Sequence, residues 1–384
     1  MEMTWARRPG RRRARAALLG ATVVVAILLG LAPGASAALT LVSQTPDATA
    51  GVDGRVQAIV RFGDWLYVGG SFSAVSGKPR AGLARVNIVS GAVDPSWSAD
   101  VVGSVIALAT SPDGATLYVG GQFSSVAGAG RENLAALSAA TGAVVATWNP
   151  GANRSVQALA ASSDRLYVGG KFTRIGGVAR AKLAALSAAT GAVDPAFTPN
   201  PDQWVAALRL ADGRLFAAGF FTTVGGAGQP YLAELSPVTG TATGWRPSLT
   251  CPVYALDVVV GTTPADRTVY VACGGSGGSA LAFSTSANLR RWLVRTNGNL
   301  HAVAYLDGAV YLGGHSTTMS GADRKKGGAV DAATGALTSW NPSFNSTFGI
   351  WAMLAADGRL WAGGDFTKVG TTRQLRLARF SPPT

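Results

Sequence analysis

The chain has 384 residues, 48% of them hydrophobic, with 33 lysines and arginines against 20 aspartates and glutamates. That balance excludes a disordered chain. Two histidines and two cysteines leave little material for a multi-ligand metal centre, and no metal site or cofactor is expected.

Residues 1–37 read as an export signal. Arg7, Arg8, Arg11, Arg12, Arg13 and Arg15 precede an apolar stretch from Ala16 to about Ala32, and Ala35-Ser36-Ala37 offers the small residues a signal peptidase accepts. Cleavage before Ala38 is expected. The apolar stretch is shorter than the roughly 20 residues of a spanning helix, so no transmembrane segment is expected in the mature chain, which is secreted or held at the cell surface. Removing the six arginines and Glu2 leaves 27 basic and 19 acidic residues, so the formal charge falls from +13 to +8. The remaining arginines recur once per repeat rather than in one stripe, which argues against nucleic acid as a partner.

From residue 38 onward one phrase recurs, LYVGG-x-F-(S/T)-x-(V/I)-x-G-x-x-R-x-x-L-A-x-L, followed by T-G-A-V and an aromatic flanked by proline. Its second glycine falls at Gly70, Gly121, Gly170, Gly219, Gly314 and Gly364, with Cys273 in that place in a degenerate copy. The average step is 49 residues, the signature of a supersecondary unit that buries its faces only by stacking on neighbours. Seven such units consume residues 38–384 as a single domain.

Each unit parses into four short strands. In the third copy these are Val156–Ala160, Arg165–Gly170, Leu183–Ser187 and Ala192–Phe197, separated by Ser-Asp, Gly-Gly and Thr-Gly turn signals. Four antiparallel strands repeated radially predict an all-β fold, a seven-bladed β-propeller with no long open edge. The last copy stops at Phe380 without its fourth strand, while Leu39–Ser43 precedes the first copy unassigned. Residues near 39–45 are therefore expected to pair with residues near 375–381 and close the ring. Tyr67, Tyr118, Tyr167, Phe216, Tyr270, Tyr311 and Trp361 recur in every second strand, and Trp97, Trp148, Phe197, Trp245, Trp292 and Trp340 in the fourth; both read as core. Paired glycines are expected where φ is positive or sheets approach closely.

The phrase LYVGGSFSAVSGKPRAGLARVN at Leu66 to Asn87 resembles the delta-60 repeat, a β-propeller repeat of secreted and surface-attached bacterial proteins. The resemblance spans residues 39–384, is weaker in the sixth copy and poor in the fifth. It implies a propeller in an extracellular setting and transfers no catalytic residue.

Chemistry is sparse. After export only Glu132 and Glu234 remain as glutamates, and Asp94 and Asp194 share one position in different units, so no carboxylate pair of glycosidase type is evident and no catalytic residue is assigned. His301 and His315 lie one hairpin apart. Asp113-Gly114, Asp212-Gly213, Asp307-Gly308 and Asp357-Gly358 read as hairpin turns. Arg80, Arg131, Arg180, Arg324 and Arg373, with Gln229 in the fourth copy, read as structural bridges, the alternative being a cationic rim. Cys251 and Cys273 fall in one repeat and are expected to form a disulfide. The Asn153-Arg154-Ser155 and Asn345-Ser346-Thr347 sites are discounted as glycan acceptors because the Ala/Gly/Arg-rich composition points to a GC-rich bacterial source.

Binding is expected where the repeats disagree. The second residue of the first strand reads Gln57, Ile106, Gln157, Ala206, Tyr254, His301 and Trp351, and the preceding loops add Arg55, Arg154 and Trp204. Of these, Arg55, Gln57, Arg154, Gln157, Trp204, Tyr254, His301 and Trp351 form the candidate ligand site at one mouth of the central channel. The leading expectation is an exported, monomeric, non-enzymatic module that binds or scaffolds a cell-surface protein or glycan. The alternatives are a secreted polysaccharide hydrolase or lyase with its site at that mouth, and a purely structural envelope component that self-associates.

Overall fold

The computed structural model describes residues 39–383 apart from 263–266 and 276, and the expected export signal and its cleavage site lie outside them. Among the described residues there is no α-helix. Each repeat folds as an antiparallel sheet. The sheets comprise Arg55–Phe62, Trp65–Ser71 and Leu83–Asn87; Val101–Thr110, Thr116–Val126 and Leu134–Ser138; Val156–Ala161, Arg165–Gly170 and Leu183–Ser187; Val205–Ala211, Arg214–Gly219 and Leu232–Leu235; Val253–Val260, Arg267–Cys273, Ser279–Ser284 and Arg290–Arg295; Leu300–Leu306, Ala309–Gly314 and Gly327–Asp331; and Ile350–Ala356, Arg359–Gly364 and Leu377–Phe380.

Full four-stranded sheets are the exception. The segment expected as a fourth strand pairs across only one isolated bridge in most repeats, Val86 with Val93, Leu137 with Val144, Leu186 with Val193, Leu235 with Ala242 and Val330 with Leu337. Only the fifth repeat extends this edge into a strand, Arg290–Arg295. Pro95 and Pro195 explain part of the difference, because proline offers no N–H to continue a ladder. Between second and third strands the expected glycine-rich connection is itself a small hairpin, such as Arg174–Ile175 with Val178–Ala179, turned through Gly176 and Gly177 at φ 57° and 73°.

Neighbouring sheets lock together by a repeated contact. The fully buried Val105, Val156, Val205 and Ile350 at the start of the first strands seat against the preceding sheet where Gly69, Gly120, Gly169 and Gly313 leave room; a Cβ on Gly169 would lie 2.8 Å from Val205 Cγ1. Val56 seats against Gly363 in the same way, so the last sheet meets the first. The paired glycines serve this close approach and do not adopt positive φ. Beyond these contacts, each indole reaches across to the next sheet: Trp97 Nε1 donates to Ala139 O at 3.1 Å, Trp148 to Ser187 O at 3.2 Å, Trp245 to Ser284 O at 3.0 Å and Trp292 to Ala332 O at 2.9 Å. Trp340 donates to Ser43 O at 3.1 Å.

Ser43 belongs to the N-terminal segment, which lies along the last strand. Ser43 N–H donates to Ser381 O and Asp47 N–H to Arg379 O, both at 2.8 Å, and Asp47 forms a bridge with Arg379. The observed pairing is thus residues 43–47 with 379–381, which overlaps the expected segments and extends two residues beyond the first of them.

The recurring arginines point inward to their own repeat. Arg80 donates to Asp94 O and Pro95 O, Arg131 to Val145 O and Ala146 O, Arg180 to Pro195 O and Arg324 to Thr338 O. Gln229 does the same to Leu232 O and Trp245 O. In the last repeat the equivalent residue is Gln374, bonded to Leu377 O, rather than Arg373. These side chains satisfy carbonyls along the abbreviated fourth segment, so they do not form a free cationic rim. The expected Asp-Gly turns are also present, with Asp212, Asp307 and Asp357 at φ between 46° and 51°.

Cys251 and Cys273 lie at disulfide distance, with Cα atoms 5.8 Å apart. The bond would close a loop of 22 residues in the repeat that has neither glycine of the pair, Ala272-Cys273 standing there. Reduction is expected to lower unfolding free energy by about 3 kcal/mol, read as a shift in the urea midpoint between oxidised and reduced protein. An unchanged midpoint would show that the bridge carries no load.

Candidate functional site

Every first strand carries a register shift at the same place: between Val56 and Ala58, Val105 and Ala107, Val156 and Ala158, Val205 and Ala207, Val253 and Ala255, Leu300 and Ala302, and Ile350 and Ala352. The extra residues are Gln57, Ile106, Gln157, Ala206, Tyr254, His301 and Trp351, the same positions at which the repeats disagree. A bulge residue is released from the ladder and its side chain re-aimed. Here all seven line one cavity of about 340 Å³ at the convergence of the first strands, together with Trp204.

The loops that lead into these strands are held by a repeated side-chain clamp. Asp53 accepts N–H bonds from Ser73 and Ala74, Asn153 from Thr173 and Arg174, Asp202 from Thr222 and Thr223, Asn297 from Thr317 and Thr318, and Asn345 from Thr367 and Lys368. The hydrogen bonds hold the Asp53 and Asp202 carboxyls below the usual range against the opposing effect of burial. The clamps fix Arg55, Arg154 and Trp204, each one or two residues downstream. They also occupy the amides of Asn153 and Asn345, the two residues of the glycan-acceptor sequences.

The mouth divides into two chemically different arcs. Over the first repeats it is polar: Gln57 Oε1 accepts from Ser104 Oγ at 2.8 Å and Ser71 Oγ at 3.1 Å, and Gln157 Nε2 donates to Ser155 Oγ at 3.1 Å. Over the later repeats it is aromatic. Trp204 stacks on Phe220 with centroids 4.1 Å apart, Tyr254 meets Phe220 edge-on at 5.3 Å and His301 at 4.8 Å, and His301 stacks on Trp351 at 4.5 Å. A cation covers a ring at each end. Lys171 Nζ lies 4.7 Å from the Trp204 ring, and the Arg55 guanidinium 5.0 Å from Trp351 and 5.2 Å from Phe348.

His301 and His315 do approach one another, Nε2 to Nδ1 at 3.3 Å. Asn299 N–H donates to His315 Nε2 at 3.3 Å, which leaves the proton of His315 on Nδ1 and makes His301 Nε2 the acceptor. Burial, with His315 beside it, pushes the His301 imidazole down to about 4, and burial also lowers His315. His301 therefore binds its proton less readily in the folded than in the unfolded chain. Stability contributed in this way is complete above the unfolded value near 6.5 and is lost as pH falls from there through about 4. Melting curves between pH 7 and 4.5 are expected to show this decline, and His301→Phe is expected to flatten it. An equal slope in the variant would assign the decline to other groups.

Of the expected site residues, Gln57, Gln157, Trp204, Tyr254, His301 and Trp351 surround the one cavity. Arg55 overlies its edge and is 3.8 Å from Asp365. Arg154 departs from the expectation: it lines a separate cleft of about 630 Å³ between the second and third repeats. Arg154 lies three residues before the bulge residue Gln157, whereas Arg55 lies two before Gln57. Lys171, Phe220 and Phe348 were not among the expected residues. Lys171 and Phe220 occupy the unspecified position directly after the paired small residues of the phrase, where other repeats place Ser71, Gln122, His315 and Asp365.

No carboxylate lines the channel cavity among the described residues. Asp94 pairs with Arg85, and Asp194 with Arg165 at 3.0 Å, in different sheets. No group of three or more potential metal-ligating side chains occurs among the described residues.

Segments 64–96, 161–197, 210–242 and 355–382 match the model of a β-propeller domain of unknown function, DUF5122. Solved structures of similar shape include U3-55K, at 13% identity over 88% of this chain and 100% of that one with a TM-score of 0.60. The WD40 repeats of RRP9 match at 13% identity over 89% and 99% with a TM-score of 0.58. The chain is a β-propeller. The WD40 β-propeller domain of Doa1 is also similar, at 10% identity over 87% and 95% of the two chains with a TM-score of 0.57. Identities this low carry the propeller architecture and nothing of what those proteins bind. No curated protein matches the sequence. No helix among the described residues of this propeller is long and apolar enough to cross a membrane.

Proposed function

We propose that this propeller is exported, cleaved before Ala38, and acts without catalysis as a binding or scaffolding module at the cell surface or in the extracellular space. Its repeats are of the delta-60 type and close as a seven-bladed monomeric ring, with residues 43–47 completing the last blade. Support for closure comes from Val56 seated against Gly363 and from Trp340 donating to Ser43, each repeating a contact made between every earlier pair that carries those residues.

One observation carries the functional reading. The core positions of the unit are held nearly constant from copy to copy, whereas the bulge residue aimed at the channel differs in almost every sheet. Core packing alone would not require that diversity. A concave surface with a polar arc, an aromatic arc and cations at the aromatic ends suits a ligand with both hydroxyl-rich and apolar faces, such as a surface glycan.

The mature chain, residues 38–384, screened against glycan and cell-wall panels is expected to bind at least one member. Replacing Trp204, Tyr254 and Trp351 together by alanine should weaken that binding by about a hundredfold or more, as loss of clustered aromatic anchors does. Binding that survives the triple substitution in a protein with an unchanged circular dichroism spectrum would remove the site from the channel mouth.

A further inference from the structure

A second cleft lies between the second and third repeats. Its wall brings together Arg154 and Lys171 with the polar side chains of Gln122, Ser124 and Ser155. Both cations are exposed, and neither makes an ion pair among the described residues. No carboxylate lines the cleft among the described residues, so its positive charge is uncompensated. The backbone beneath is fixed: Lys171 N–H donates to Ser155 O at 2.9 Å, and the Asn153 clamp holds the residue before Arg154. The cleft adjoins the channel mouth through two side-chain contacts. Ser155 accepts from Gln157 of the mouth, and the Lys171 ammonium rests on Trp204.

We infer that this cleft is an anion subsite, in which Arg154 and Lys171 hold the carboxylate of an acidic saccharide whose neighbouring sugar units run into the channel mouth. The inference rests on the binding role proposed above and narrows it to a ligand class. A carboxylate complements two cations without ion-pair partners among the described residues, 17 residues apart in sequence but on one wall. The sugar hydroxyls match the hydroxyl and amide groups beside them, which a purely apolar ligand would leave unpaired. A neutral glycan would leave the two cations unused, and an acidic peptide would leave the hydroxyl-rich wall poorly matched.

The test uses the mature chain and three probes: tri-galacturonate, neutral maltotriose and a tri-glutamate peptide, titrated by calorimetry and by tryptophan fluorescence. Tri-galacturonate is expected to bind most tightly, to change the emission of Trp204 by engaging Lys171, and to weaken as salt rises. Arg154→Gln and Lys171→Gln should each reduce its affinity about tenfold or more, the usual scale of a lost charge-assisted bond, with melting temperatures unchanged because both side chains are exposed. Absence of binding by tri-galacturonate, equal affinity in both variants, or tighter binding of maltotriose or tri-glutamate would overturn the subsite. If the screen's glycan hits bind both Gln variants as well as the parent but are lost on Tyr254→Ala with Trp351→Ala, the channel mouth stands and the anion subsite falls. Hits that survive all four substitutions remove both.

Discussion

Deleting residues 38–52 is expected to lower the melting temperature by roughly 10 °C or more, the largest effect of any short truncation in this chain. The segment buries Val42, Ala50 and Val52, each at 4% exposure or less. It also supplies Ser43 O to the Trp340 indole, donates Val42 N–H to Tyr311 Oη at 3.1 Å, and provides Asp47, whose carboxylate receives Arg379 Nε at 2.7 Å and Ser381 Oγ at 2.6 Å. Burial of two valines contributes on the order of 3–5 kcal/mol. The hydrogen bonds add about 1 kcal/mol each, and their loss strands the buried indole N–H. The truncation also bares the edge of the Leu377–Phe380 strand, a template for association between molecules. Differential scanning calorimetry with light scattering reads both consequences. A truncated protein that melts as the parent does would refute closure through the N-terminal segment.

The second large effect is Trp340→Ala, expected to cost about 3–5 kcal/mol. The side chain is fully buried, meets Tyr311 at 5.0 Å and Phe380 at 5.5 Å between ring centroids, and donates to the N-terminal segment. Trp97→Ala is its internal control. Trp97 packs on Tyr67 at 5.7 Å and donates to Ala139 O inside the continuous chain, where no terminus is involved. If head and tail share a blade, the two substitutions have comparable costs by urea denaturation. If the joint between Ser43 and Trp340 is open in solution, Trp340→Ala is nearly silent and Trp97→Ala is not.

Much of the architecture is legible because the repeat exposes the physics seven times over. An aromatic at one position in each second strand, a second aromatic thirty residues on and a glycine pair between them specify which surfaces meet, and Tyr118 with Trp148 at 5.4 Å shows the result. The short fourth segment was not legible. Val93 and Val144 carry a strand-like alternation, but the proline and the arginine-to-carbonyl bonds that limit their pairing act through tertiary contacts. The register of the closing segment, with Asp47 opposite Arg379, likewise depends on side-chain partners that alternation does not encode.

The mouth was legible in half. Variation among Gln57, Tyr254, His301 and Trp351 marked the bulge positions without revealing that they are bulges, since a single extra residue leaves the local alternation unchanged. A second ring of variation was present in the unspecified residue of the phrase and carries Lys171, Phe220 and His315, each hydrogen-bonded through its backbone to the loop before the bulge. Read together, the two rings specify the polar and aromatic arcs. Arg154 illustrates the limit, because it lines the cleft beside the mouth, a placement set by loop geometry that the repeat pattern does not encode.

The central claim is that the seven bulge residues and their neighbours form one recognition surface. Hydrogen–deuterium exchange of residues 38–384, alone and saturated with the tightest-binding glycan of the panel, tests it most directly. Protection confined to the starts of the first strands and to residues 171, 204, 220, 315 and 348 is the predicted footprint. Protection on the outer edges of the sheets, with exchange at the channel mouth unchanged, would contradict it.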